Sequence, residues 1–264
     1  MLGTRARTKP LGMPLGCQTW PVRTMIAQDF AGSLKQLAAI GFERIELCSP
    51  AGYVASGFGA LAKYKGAELR RIVEDAGLKC ESSHFTIAEL RDSLQDRIGW
   101  ANDVGLTQMI IPTFGGPKPS SLDDVKRAAD EYNRIAAESA KAGIQQGLHN
   151  EAFESATVDG TRVYDLLLQW LDPALVKFQF QISTMRDGFD PIHYFTTYPG
   201  RFMSMHVQDW SSATPQQMVP VGRGSVDWKQ VFTAARTGGV KNYFVEMNLD
   251  LMKESVPYLR QLEV

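Results

Sequence analysis

Short apolar and β-branched runs recur along the chain, separated by longer stretches whose apolar residues fall three and four positions apart. The short runs predict eight strands: "LGCQT" at 15–19, "RIELC" at 44–48, "KCESSH" at 79–84, "QMIIP" at 108–112, "IQQGLH" at 144–149, "VKFQFQI" at 176–182, "FMSMHV" at 202–207 and "NYFVE" at 242–246. The intervening stretches predict amphipathic helices, as in Leu69, Ile72, Val73 and Ala76, or Val163, Leu166, Leu167, Trp170 and Leu171. Gly41, Gly77, Gly105, Gly143 and Gly239 each stand just before a strand, where a glycine can end the preceding helix in a left-handed conformation. Strand starts recur roughly every 26 to 40 residues, the length of a βα unit, and eight uninterrupted units predict a closed (β/α)8 TIM barrel. An open doubly wound sheet would place a glycine-rich turn after its first strand. The chain has "TWPVRT" there.

With 264 residues, 44% of them hydrophobic, the chain matches one barrel, so a single domain over 13–264 is expected behind an N-terminal arm at 1–12. Net charge is −1, from 28 Lys and Arg against 29 Asp and Glu, which gives no broad attraction for nucleic acid or an anionic membrane. No apolar run approaches the roughly 18 residues of a membrane span. The basic start "MLGTRARTKP" lacks an apolar segment after it, so a cytoplasmic location is expected, or a periplasmic one if a signal peptide has been removed. Cys17, Cys48 and Cys80, odd in number and without CxxC spacing, read as buried thiols.

Chemistry-bearing residues gather at the C-terminal strand ends, where barrel active sites are built. His206 ends "FMSMHV", Glu246 ends "NYFVE", and His149, Glu151 and Glu154 follow the fifth run in "HNEAFE". His and carboxylate groups there suit a metal or an acid/base pair. His149 is open between ligand, substrate contact and structural roles, and His193, on a predicted helix, reads as structural. Two long connections, 49–60 with Tyr53 and Phe58, and 208–226 with Trp210 and Arg223, are candidates to shape or cover a pocket.

The stretches "LGCQTWPVR", "SSHF", "HNEAFE", "VKFQFQ", "YPGRFMSMHVQD", "PVGRGSVDW" and "NYFVEMN" resemble the xylose isomerase-like barrels, the group of sugar phosphate isomerases/epimerases that includes inosose dehydratase and ketose 3-epimerases. The resemblance implies one divalent ion held at the fifth to eighth strand ends, by Glu151 (or His149), Gln181, His206 and Glu246. The chain departs from the related patterns "HNHAFE" and "LDVYW" by carrying Glu151 at a His position and Gln181 at an Asp position. One change adds a negative charge and the other removes one, so total ligand charge is conserved. An amide oxygen favours a hard cation, Mn²⁺ or Mg²⁺, with Co²⁺ and Zn²⁺ as alternatives.

The chemistry so implied is removal of a proton next to the carbonyl of a sugar or keto-sugar, with Glu246 and Glu154 as candidate proton carriers. Gln18, Trp20, Glu46, His84 and Arg223 are the candidate substrate contacts. Isomerisation or epimerisation is the leading outcome. The same intermediate can expel a substituent, which gives a lyase or dehydratase on keto-sugars or 3-keto-glycosides, and Gln181 keeps a catalytically silent sugar-binding barrel in view. A DNA-repair endonuclease on this barrel would need many histidines and a basic groove; four histidines and a charge of −1 argue against it. A small-molecule sugar is the expected partner, and self-association is left open.

Overall fold

The computed structural model describes residues 9–264, so most of the N-terminal arm, residues 1–8, lies outside the described residues; Pro10–Gly12 form a single 3-10 turn. All eight predicted runs are strands: Gly16–Gln18, Arg44–Cys48, Lys79–His84, Gln108–Ile111, Gln145–His149, Val176–Gln181, Phe202–Val207 and Asn242–Val245, numbered first to eighth below. They pair in parallel and in sequence, and the first closes on the eighth through Gly16–Phe244 and Cys17–Val245. A helix connects most successive strands, which makes the molecule a (β/α)8 TIM barrel. Among the described residues no helix is long and apolar enough to cross a membrane.

Local sequence explains where the elements stop. The helix Phe30–Ile40 ends at Gly41 with φ +114°, and Ile87–Val104 ends at Gly105 with φ +88°, a backbone region closed to most side chains. At their starts, Asp29, Thr86, Ser121 and Asp227 accept backbone N–H groups that the helix itself cannot satisfy. The helices bury their apolar stripes against the outside of the barrel, as Leu69 and Val73 do, and Trp228 and Phe232 pack there with Tyr243. All three cysteines are free and buried, and burial raises their thiol pKa values, so none is a thiolate at neutral pH.

The barrel interior departs from the usual filling of branched apolar side chains. Toward the C-terminal ends of its strands it holds Gln18, Glu46, Ser82, His84, His149, Gln179, Gln181, Ser204 and His206, all buried. Such a layer is stable only if its polar groups pair with one another. Their pairing defines the site.

Candidate active site

Glu46, in the second strand, is the hub. A shift of register between Ile45 and Glu46 sets it opposite Ser82. Its Oε1 accepts from Ser82 Oγ at 2.6 Å and Gln179 Nε2 at 2.8 Å; its Oε2 accepts from Gln18 Nε2 at 2.8 Å and lies 2.6 Å from His206 Nε2. Burial works to raise its pKa, but the charges and hydrogen bonds of His84 and His206 bring it well below the usual carboxylate range. Glu46 is therefore an ion enclosed by donors. Gln18 is equally enclosed, since its Oε1 accepts from the Trp20 amide at 3.1 Å.

Above this hub, His206 turns its second nitrogen to the end of the eighth strand, with Nδ1 3.2 Å from Glu246 Oε2. The same oxygen accepts from Gln181 Nε2 at 2.8 Å and from Gln208 Nε2 at 2.6 Å. Burial opposes charge on His206, yet Glu246 and Glu46 raise its pKa to about 10; burial likewise opposes charge on Glu246, and His206 lowers it. The His149 ring lies 4.5 Å from that of His206 and the His84 ring 5.3 Å from it, so three imidazoles cluster under one carboxylate. Burial, followed by the charges of His206 and His84, lowers the His149 pKa well below its ordinary value. A neutral His149 with Nδ1 directed at the Gln179 carbonyl, 3.1 Å away, leaves Nε2 as a lone pair.

That Nε2 is buried without a hydrogen-bond partner, and so is Gln181 Oε1. Both are acceptors. Unsatisfied buried acceptors cost roughly 1–3 kcal/mol each, and a cation placed beside them would remove that cost. The donor set of two imidazoles, one amide oxygen and one carboxylate fits a divalent ion. Glu46, His84 and His206 also offer donor atoms within 4.8 Å of one another, the one such His/Cys/Asp/Glu group found among the described residues.

A cavity opens over Glu246, lined by Trp20, Cys48, Tyr53, His84, Pro112, Glu151 and Glu246. The connection after the second strand shapes it. Trp20 meets Tyr53 edge-on at 5.9 Å and stacks on Phe58 at 6.4 Å, with the Arg23 guanidinium 4.6 Å above its ring. The Glu151 side chain stands 47% exposed at the rim with Oε1 3.9 Å from His149 Nε2. Desolvation raises its carboxyl pKa.

Other sequence candidates fall outside this cavity lining. Glu154 folds back under the loop, its two oxygens accepting the amides of Phe114 at 3.0 Å and Glu151 at 3.2 Å. Arg223 pairs with Glu254 at 3.0 Å, and both side chains are at least half exposed. The root of its segment is fixed: the Asp209 carboxylate accepts from the amides of Gly222 and Gly224 and from Trp228 Nε1. Only the tip at 212–218 is exposed throughout. His193 lies on the helix Pro191–Thr197, its Nδ1 3.4 Å from Thr197 Oγ1. Sequence reading missed Ser82, Gln179, Ser204 and Gln208, although three of these stand two positions before an expected site residue on the same face of a strand.

Glu154 gives a test of the loop. Burial lifts its pKa from 4.5 to about 7, against the amides that favour ionisation. The folded state therefore holds the proton more tightly than the unfolded chain. The resulting stability is full below pH 4.5 and lost as pH rises through 7. Urea denaturation should show a loss of about 3 kcal/mol over that window that is missing from Glu154→Gln. Parallel pH profiles for the two proteins would contradict it.

A family model described as a xylose isomerase-like TIM barrel matches residues 34–262. The chain belongs to that family. Among solved structures, this xylose isomerase-like barrel is similar to a sugar phosphate isomerase/epimerase from Parabacteroides distasonis, with 24% identity, 98% of this chain and 96% of that chain covered, and a TM-score of 0.79. It is also similar to the probable 3-DHS dehydratase AsbF of Bacillus anthracis, with 16% identity, coverage of 94% and 98%, and a TM-score of 0.69. A third is a xylose isomerase-like TIM barrel protein from Mycobacterium smegmatis, in complex with magnesium, with 14% identity, coverage of 96% and 97%, and a TM-score of 0.67. These likenesses show the fold. Among curated proteins no sequence matches.

Proposed function

We propose that this barrel is a divalent-metal-dependent enzyme that removes a proton next to the carbonyl of a sugar or keto-sugar and returns a proton to give an isomer or epimer. The observation that carries the reading is the pair of buried, unpartnered acceptors, His149 Nε2 and Gln181 Oε1, beside His206 and Glu246. These four residues would hold the ion. Of the two candidates at the fifth strand end, His149 is the ligand because its free nitrogen is buried, while Glu151 stands at the rim. The two oxygen donors suit Mn²⁺ and the two imidazoles suit Co²⁺ or Zn²⁺ as well, while magnesium accompanies the Mycobacterium smegmatis barrel of the same fold.

A bound ion would supply Lewis-acid polarisation of the substrate carbonyl. The rest falls to the chain. Glu246, whose Oε2 is already drawn to His206, Gln181 and Gln208, has the charge and the fixed position of a ligand. Glu151 differs: desolvation raises its pKa, and its carboxyl faces the cavity. It takes the proton from the carbon beside the carbonyl and delivers it to the former carbonyl carbon, which gives the isomer; an epimer requires a second acid to deliver a proton to the opposite face of the same carbon. His84, at the cavity wall, hydrogen-bonds a substrate hydroxyl, and Trp20 and Tyr53, which line the same cavity, give the sugar aromatic surface to pack on.

The test begins with the metal. Protein stripped with chelator and reloaded with Mn²⁺ should retain one ion per chain by elemental analysis after desalting. A product assay on a panel of keto-sugars then separates isomerised from eliminated products. Less than a tenth of an ion per chain after reloading would overturn the metal assignment.

A further inference from the structure

We propose that Glu46 is a positioning residue that commits His206 to the cation through Nδ1, so that His206 and His149 bind it through opposite ring nitrogens. The inference rests on the metal reading given under Proposed function and adds which atoms engage and which carboxylate decides it.

A carboxylate has about four lone-pair sites. Those of Glu46 are taken by Ser82, Gln179, Gln18 and His206, at 2.6 to 2.8 Å. None is left for a cation or a substrate hydroxyl, although Glu46, His84 and His206 form a compact group of donor atoms. The Nε2 of His84 is committed as well, 2.8 Å from Gln179 Oε1 and 3.2 Å from Glu46 Oε2. The deep cluster is closed by its own hydrogen bonds.

His206 joins this closed cluster to the open one. A neutral imidazole that keeps N–H toward a carboxylate at one nitrogen presents a lone pair at the other, the form a metal-bound histidine takes. The contact of Nε2 with the fully buried Glu46 is 2.6 Å, and that of Nδ1 with Glu246, at the cavity floor, is 3.2 Å. The shorter bond goes to the carboxylate that water cannot reach. Nε2 therefore keeps its proton, and a cation at the Glu246 side displaces the one on Nδ1 to solvent. For His149 the polarity is reversed, because Nδ1 is held by the Gln179 carbonyl and Nε2 is the unpartnered atom. Gln179 links the two choices, bonding Glu46 through its side chain and His149 through its backbone.

Long-range ¹H–¹⁵N spectra of ¹⁵N-histidine protein, loaded with Zn²⁺ as a diamagnetic probe, read this directly. His206 should show a protonated Nε2 and a metal-shifted Nδ1, His149 a protonated Nδ1 and a metal-shifted Nε2, and His84 no metal shift. Metal bound at His206 Nε2 or at His84 would overturn the proposal while leaving a metal protein. No metal-shifted imidazole at all would remove the metal reading with it. In a second arm, Glu46→Gln should bind Mn²⁺ roughly 10–100-fold more weakly at unchanged stoichiometry, whereas His84→Gln should keep the parental Kd. An unchanged Kd in Glu46→Gln refutes the positioning role. If that variant does not fold, the wild-type spectra still decide.

Discussion

His206→Gln should weaken binding of the divalent ion by about 10³-fold and lower turnover with it, while His193→Gln leaves both at the parental level. Among the described residues His206 alone bonds both Glu46, at 2.6 Å, and Glu246, at 3.2 Å. Losing a group that only orients a ligand costs roughly 10–100-fold in metal affinity. Losing a ligand itself should cost more, on the order of 10³-fold, or about 4 kcal/mol. Glutamine is chosen over alanine because its amide can still donate to Glu46, whereas alanine would leave a buried carboxylate short of its cationic partner. Titration calorimetry with Mn²⁺ on folded protein, with circular dichroism as the check on folding, reads the result. A His206→Gln protein that binds Mn²⁺ with parental affinity would remove His206 from the donor set, and equal losses in His193→Gln would show that the effect is not local.

The architecture was legible because two independent signals coincide along the chain. Apolar runs mark strands, and a glycine before many of them marks the end of a helix; Gly41 and Gly105 adopt the left-handed conformation that this reading requires. Strand ends were legible for the same reason, and with them His206, Glu246 and Gln181. Depth along the barrel axis was not. Glu46 looks like a substrate reader near the end of its strand, yet the register shift at Ile45 seats it opposite Ser82 and encloses it. Nothing in "RIELC" encodes that shift, which depends on the pairing of two strands about 35 residues apart. Nor does "HNEAFE" say that Phe153 packs on Phe114 at 5.3 Å and draws Glu154 under the loop, away from the cavity. A usable signal was nevertheless present. Ser82 and His84, Gln179 and Gln181, and Ser204 and His206 are polar pairs two apart within strands, and each pair points to one face, so the polar layer is written as a period of two where the interior should be apolar.

Glu151→Gln should separate binding from chemistry. The variant is expected to hold the ion with parental affinity, because His149, Gln181, His206 and Glu246 are untouched. Its exchange of the carbon-bound proton into D₂O should fall by about 10²–10⁴-fold, the contribution typical of a positioned acid or base. Desolvation raises the Glu151 pKa, and its carboxyl lines the cavity. The amide cannot take a proton, and glutamine preserves size and polarity at a half-exposed position, so folding is not at stake. Measuring product formation together with deuterium content guards against a base that returns the same proton before solvent reaches it. Parental turnover in Glu151→Gln, with turnover lost in a Glu246→Gln protein that still carries its ion, would move the base from the rim to the floor of the cavity. Loss of the ion in Glu151→Gln would instead place Glu151 among the ligands, in the role that its charge balance with Gln181 first suggested.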